Sequence, residues 1–313
     1  MTKQGQWSGQ GKILASMTIK QAAELWLFHI ENRKRKPAKL SSVFTFKSHI
    51  RAHILPALEN VEIPLFGNAT MKGFVAYLAE KNLSPSTIRQ ISNTVHQIIA
   101  SVVDANGDEV FPRKWNSEFI DAPLIGKQNQ PTVTAEQIER AIKESDETNA
   151  TLYLLLAASG LRIGEALALK SEPSDSSTCF VDAAVIVRKS VWRRIEQLPK
   201  SVAAIRTIEL AAPVAERIAD FMRGRSGFVF GNGLPPAEST LRDRLAERGI
   251  PGFHSTRRFR TSWLRKQRAP EDLIRSWLGH SNGGSMTDRY SKLAEDTNFR
   301  REICDRVGVG FNL

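Results

Sequence analysis

Cysteine and tyrosine are scarce in this chain of 313 residues, with two of the first and three of the second. Cys179 and Cys304 lie far apart, and neither stands at zinc-finger spacing from a histidine. That excludes a disulfide framework and fits a reduced, cytoplasmic setting. No long hydrophobic run occurs either: the most apolar stretch, Leu152 to Ala158, is far too short to cross a bilayer, and the polar opening has no signal-peptide core behind it, so no membrane partner is expected. Acidic residues are outnumbered, 33 Asp plus Glu against 44 Lys plus Arg, for a net charge of +11. Such an excess favours a polyanion, nucleic acid first, through phosphate neutralisation and counterion release, although a merely solubilising basic surface has the same totals. A hydrophobic content of 41% is enough for a buried core, and the length suggests two domains.

The apolar spacing is mostly helical. Residues 1–16, rich in Gly, Gln and Ser, read as a mobile arm, after which Thr18 caps a helix with Ile19, Ala22, Ala23, Trp26 and Ile30 on one side. A second amphipathic helix follows Ser41 or Ser42, with Val43, Phe46, Ile50 and Ile54 opposite Lys47 and Arg51. Thr70 opens a third, and Ser84-Pro85 a fourth that carries Arg89. These make a helical domain over 17–106. Periodicity fades between 107 and 131, where Pro112, Pro123, Gly126 and Pro131 suggest an interdomain linker.

Thr134 to Gln137 is a capping box that opens a second domain, 132–294, followed by a buried helix ending at Gly160. Phe180 to Val187 is rich in β-branched residues, and Val191–Leu198 and Ile205–Leu210 flank a turn at Pro199-Lys200-Ser201, so a small antiparallel sheet is expected. Further helices follow near 239–248, 256–267 and 270–278. In the tail, 295–313, Phe299, Ile303 and Val307 recur at helical spacing and suit packing either into a neighbouring molecule or onto the same domain.

Five stretches of the second domain stand apart: Gly160-Leu161-Arg162-Ile163-Gly164-Glu165, Pro199-Lys200, His254-Ser255-Thr256-Arg257, Leu278-Gly279-His280 and Asp288-Arg289-Tyr290. Four or five fixed cations and one phenol are the inventory that phosphoryl transfer needs, and no carboxylate cluster calls for a metal. Each also has a plainer reading. Arg162 can pair with Glu165 on a surface, Lys200 can be a solvated turn residue, and His254 can cap its helix. Arg257, Arg258 and Arg260 can belong to a solvated basic face, His280 can end a helix in water, and Tyr290 can pack at a rim. Tyr77 and Tyr153 fall inside apolar helical stripes, which makes them much poorer candidates for a nucleophile than Tyr290.

In this order and spacing the stretches resemble the signature of the tyrosine recombinase, or phage integrase, family: an Arg in G-L-R-x-x-E, then Lys, H-x-x-R, L-G-H and Tyr. The first domain, through Leu83-Ser84-Pro85-Ser86-Thr87-Ile88, resembles the family's core-binding domain more loosely. The resemblance implies a mainly α protein with a small antiparallel sheet in its catalytic domain, the two domains forming a C-shaped clamp on double-stranded DNA. It also implies inverted half-sites, a tetramer on DNA with exchanged C-terminal segments, and strand cleavage through a 3′-phosphotyrosine without ATP, cofactor or metal. By the same resemblance Arg162, His254, Arg257 and His280 bind the phosphate with Glu165 in support, Lys200 is the general acid, and Tyr290 the nucleophile. Around Lys200 the match weakens, since Ala204 and Glu209 replace the family's usual Ser and Pro. Lys47, Arg51, Arg89, Arg258 and Arg260 are expected on DNA. Relaxation of supercoils in the manner of a type IB topoisomerase, or DNA binding without catalysis, stays open as an alternative.

Overall fold

The computed structural model describes residues 16–35, 37–127, 129–199, 201–231, 233–280 and 295–313, and it divides into two units, 1–128 and 129–313. Among the described residues no helix is long and apolar enough to cross a membrane.

The first unit is all helical. Helix α1 (Ile19–Asn32) opens on a capping box between Thr18 and Gln21, and α2 (Leu40–His49) runs through one π-helical turn, Ile50–Ile54, into α3 (Leu55–Leu58). Helices α4 (Asn68–Glu80) and α5 (Pro85–Ala100) follow, the latter capped by the Ser84 hydroxyl, and the core gathers Trp26, Ile54, Phe66, Phe74, Leu78, Ile91 and Ile98. The expected linker is in part a component of this unit. Arg113 donates from Nε to the Phe66 carbonyl (2.9 Å) and from Nη2 to that of Ile63 (2.9 Å), Trp115 stacks on His96, and Ile120, at the end of α6 (Ser117–Ile120), is buried. Prolines hide this anchoring because one Arg and one Trp supply it rather than a periodic stripe.

In the second unit α7 (Ala135–Lys143) begins at the capping box of Thr134 and Gln137. Helix α8 (Glu147–Ser159) is apolar on all sides because every residue from Asn149 to Ser159 is buried, and it ends at Gly160 in the left-handed conformation (φ +70°). Around it pack α9 (Ile163–Leu167), α10 (Ala212–Met222), α11 (Glu238–Glu247), α12 (Phe253–Lys266), α13 (Glu271–Leu278) and α14 (Thr297–Val307). Of these, α10 was not anticipated from the sequence.

The sheet departs from expectation in its pairing. Strands β1 (Leu169–Lys170), β2 (Thr178–Val181), β3 (Ala184–Val187) and β6 (Arg206–Glu209) form one sheet in the order β1-β2-β3-β6, with β1 parallel to β2 and the other pairs antiparallel. Strands β4 (Ser190–Trp192) and β5 (Ile195–Gln197) make a separate hairpin, so 191–198 folds on itself instead of pairing with 205–210. The turns that decide this, Asp182-Ala183 and Arg193-Arg194, hold both residues at positive φ without a glycine, which removes the usual sequence signal for a tight hairpin.

Helix α14 packs on its own unit. Ile303, Cys304 and Val307 are buried, Trp263 donates to the Val307 carbonyl (2.8 Å), and Arg301 donates to the carbonyls of Asp182 (2.7 Å) and Leu210 (3.2 Å).

Because Leu155 is wholly buried at the centre of α8, Leu155→Ala should lower the stability of this unit by about 3 kcal/mol, read from the denaturant midpoint of its transition. Leu198→Ala, at a site 66% exposed, should change it by no more than about 0.5 kcal/mol.

Candidate active site

Gly160 turns the chain out of the buried helix α8 directly into Arg162, which is the N-cap of α9. A Cβ on Gly160 would meet Leu278 Cδ2 at 3.1 Å, so the glycine serves both the left-handed turn and the close approach of α13. One helical turn on, Glu165 reaches back and accepts from the Arg162 backbone N–H (3.0 Å) and from its Nη1 (2.9 Å). The carboxylate is 2% exposed and is gripped from the other side by Arg206, Nη1 at 3.2 Å and Nη2 at 2.9 Å. Burial pushes the Glu165 pKa up, but the Arg206 hydrogen bonds and charge, helped by Arg162, outweigh it and hold the group below the usual carboxylate range.

Arg257 lies one turn into α12, buried under the same surface. It donates from Nη1 to the Gly160 carbonyl (2.7 Å), and from Nη2 to the Leu278 carbonyl and to His280 Nε2 (3.2 Å). Burial first, then the nearby Arg162, lowers its pKa to about 10, which still leaves it charged at neutral pH. A guanidinium can only donate, so Nε2 of His280 is the acceptor and the imidazole is neutral with its proton on Nδ1. His280 and His254 are both exposed, and both are held below the ordinary histidine value, by burial of part of the ring and then by Arg257; Arg162 adds to the effect in each.

The arrangement is layered. Arg162, with its side chain 30% exposed, and the two histidines are accessible, while Arg257, Arg206 and Glu165 lie beneath them. Among the described residues three guanidiniums, those of Arg162, Arg206 and Arg257, stand against the one carboxylate of Glu165, with the two imidazoles beside Arg162 and Arg257, so the site is electropositive and suited to an anion with several oxygens.

The structure thus brings together Arg162, Glu165, His254, Arg257 and His280. Lys200 and Tyr290 lie outside the described residues. Arg260 needs a correction as a DNA contact: it is 4% exposed, packs its stem under Gly160 and donates to the Gly308 carbonyl, and burial lowers its pKa to about 10. Its helix turns that position inward, so its charge serves the attachment of the C-terminal segment. Arg258 is half-buried and donates to the Pro131 carbonyl (2.8 Å). Lys47, Arg51 and Arg89 are exposed in the first unit, Lys47 paired with Glu31.

Sequence reading missed Arg206 as a member of the site. A signal existed, because on β6 Arg206 falls on the same face as Ile208 and, just beyond the strand, Leu210, and a charge on a buried strand face demands a buried partner.

Fold and basic cluster together define a tyrosine-type site-specific DNA recombinase. The chain belongs to the phage integrase family, whose model matches residues 131–296, more than half of its length. It is 22% identical to a prophage ps2 probable integrase of Lactococcus lactis subsp. lactis over 91% of this chain and 81% of that protein. Among solved structures it resembles the integrase of transposon Tn1549 in complex with a circular intermediate DNA (TM-score 0.69, 16% identity, 90% of this chain and 99% of that one). It also resembles the lambda integrase dimer bound to a core site (TM-score 0.61, 13% identity, 95% and 99%) and the lambda integrase tetramer bound to a Holliday junction (TM-score 0.63, 14% identity, 87% and 81%).

The electrostatics have a pH consequence. In the free protein both His254 and His280 should titrate below 6.5, and Arg162→Gln should move both midpoints upward, as followed by imidazole NMR. Because the folded chain disfavours the charged rings, the unfolded chain takes up protons first, so their contribution to stability shrinks as pH falls below about 6.5. A His280 midpoint above 7 in the free protein would contradict the assigned Arg257 to His280 hydrogen bond.

Proposed function

We propose that this recombinase cleaves and rejoins double-stranded DNA with Tyr290 as nucleophile and the Arg162–Arg257 cluster as the binding site for the scissile phosphate. The observation that carries the reading is the gathering of Arg162, His254, Arg257 and His280 into one cluster, with Arg162 held by the buried carboxylate of Glu165.

The Tyr290 oxygen attacks phosphorus as its phenolic proton passes to solvent, the bond to the 5′ oxygen breaks, and that oxygen takes a proton from Lys200, which solvent restores, leaving a 3′-phosphotyrosine and a free 5′-hydroxyl. The 5′-hydroxyl of another strand then displaces the tyrosine in the reverse sense, so bond energy is conserved and no ATP is spent. Arg162 forks onto two phosphate oxygens while Glu165 fixes its plane. Arg257 engages three of its five N–H donors in the free chain, and a phosphate oxygen competes for the Nη2 proton now given to His280. Once released, the His280 ring is free to take a proton and donate to the phosphorane, as the growing negative charge favours. His254, in the first turn of α12, adds to the positive end of that helix.

Lys47, Arg51 and Arg89 of the first unit lie on the backbone of a half-site, and the half-sites are arranged as inverted pairs. Four copies assemble on two duplexes, a state in keeping with the tetramer formed by lambda integrase on a Holliday junction. In that assembly the segment 295–313 is available for exchange between copies.

Incubation with a nicked half-site duplex, its sequence taken by selection of random DNA on the full chain, should trap a protein–DNA adduct that survives denaturation. Tyr290→Phe should abolish it and Arg162→Ala should slow its formation by at least about a hundredfold. An adduct persisting in the Tyr290→Phe variant would overturn the nucleophile, and unchanged cleavage by Arg162→Ala would overturn the phosphate fork.

A further inference from the structure

Arg206, which none of the motifs singles out, makes four hydrogen bonds beneath the site; it is 8% exposed and its three side-chain nitrogens are committed to protein. Nη1 and Nη2 grip both oxygens of Glu165, Nη1 also donates to the Ala204 carbonyl (2.8 Å), and Nε donates to the Trp277 carbonyl (2.6 Å). Three segments distant in sequence therefore meet at one guanidinium: α9 with Arg162, the chain just after Lys200, and the end of α13 with His280.

Two features show how closely this meeting is fitted. Gly279 adopts φ +62°, and a Cβ there would come within 2.9 Å of Arg206 Nη1 and 3.1 Å of Ala204 Cα, so the turn that presents His280 is shaped around Arg206. Trp277 is held twice by the same strand, its carbonyl by Arg206 and its indole Nε1–H by Glu209 (2.7 Å), which fixes the end of α13 against β6 before the chain turns at Gly279.

We propose that Arg206 is a positioning residue for strand cleavage: through Glu165 it sets the plane of the Arg162 guanidinium, and through Trp277 and Gly279 it sets the place of His280. Resting on the phosphate-cluster reading above, it adds a residue that never contacts DNA and acts through two that do. An unpaired Glu165, buried with only Arg162 for company, would draw the Arg162 head inward and away from a ligand. With Arg206 present the carboxylate is already neutralised from below, and the exposed part of Arg162 stays free for phosphate.

The test compares half-site binding, single-turnover cleavage of the nicked half-site, and melting for Arg206→Gln, Arg206→Lys, Glu165→Gln and the Arg206→Gln/Glu165→Gln double variant. The expected result is binding within about threefold of the parent protein in every variant and cleavage about a hundredfold slower in Arg206→Gln, the size of loss that a misplacement near 1 Å produces. Arg206→Lys, which keeps charge but not the fork, should cleave at an intermediate rate. The double variant should cleave no more slowly than the slower single one, because both act on Arg162 by one route. Cleavage by Arg206→Gln within threefold of the parent, multiplied losses in the double variant, or binding lost in step with cleavage would each overturn the positioning role. Should Arg206→Gln not fold, Arg206→Lys carries the same comparison, with unaltered cleavage or equal loss of binding as the contrary results. The Tyr290→Phe adduct assay is independent of all four, so failure of the nucleophile and failure of this role are told apart.

Discussion

A carboxylate removed from water between two guanidiniums is the interaction on which this site depends. Taking Glu165 out of solvent costs several kcal/mol, and the cost is met only because Arg206 supplies both charge and a matched fork from below while Arg162 supplies a second from above. The buried pair leaves a net positive surface. Glu165 is neutralised once by Arg206, so the charge of Arg162 is left over for a ligand instead of being consumed by its neighbour.

The histidine side is anchored in the same way. Arg257 is held by the carbonyls that end two helices, those of Gly160 and Leu278, and so sits where both helices point their negative ends. Two left-handed glycines, Gly160 and Gly279, make those ends possible and bring them within contact of Arg260 and Arg206 respectively. Backbone conformation, not side-chain packing alone, thus sets how the cations converge. Each guanidinium is thus anchored by protein acceptors in the free chain.

Much of this was readable from the chain. The capped helices at Thr18, Ser84 and Thr134 formed where side-chain oxygens precede apolar stripes, and the all-apolar α8 ended at its glycine, because these signals are local. The strand pairing was not readable: 191–198 closes on itself through Arg193-Arg194, a turn whose residues carry no intrinsic preference for positive φ, so tertiary context decides it. Arg260 looked like one more charge on a basic helix because its inward direction depends on the phase of α12, and its acceptor, the Gly308 carbonyl, is 48 residues away. Arg206 escaped for the related reason that its three partners, near residues 165, 204 and 277, are far apart in sequence.

The central claim is that one phosphorus atom occupies the centre of the Arg162, Arg257 and His280 cluster, in line with the oxygen of Tyr290. The most direct measurement is the structure of the full chain trapped with vanadate at the nick of a half-site duplex. The account predicts vanadium bonded to the Tyr290 oxygen, with nitrogens of Arg162, Arg257 and His280 each within about 3.2 Å of its equatorial oxygens. Vanadate bound to DNA elsewhere on the surface, with these three side chains still engaged only with protein, would contradict it.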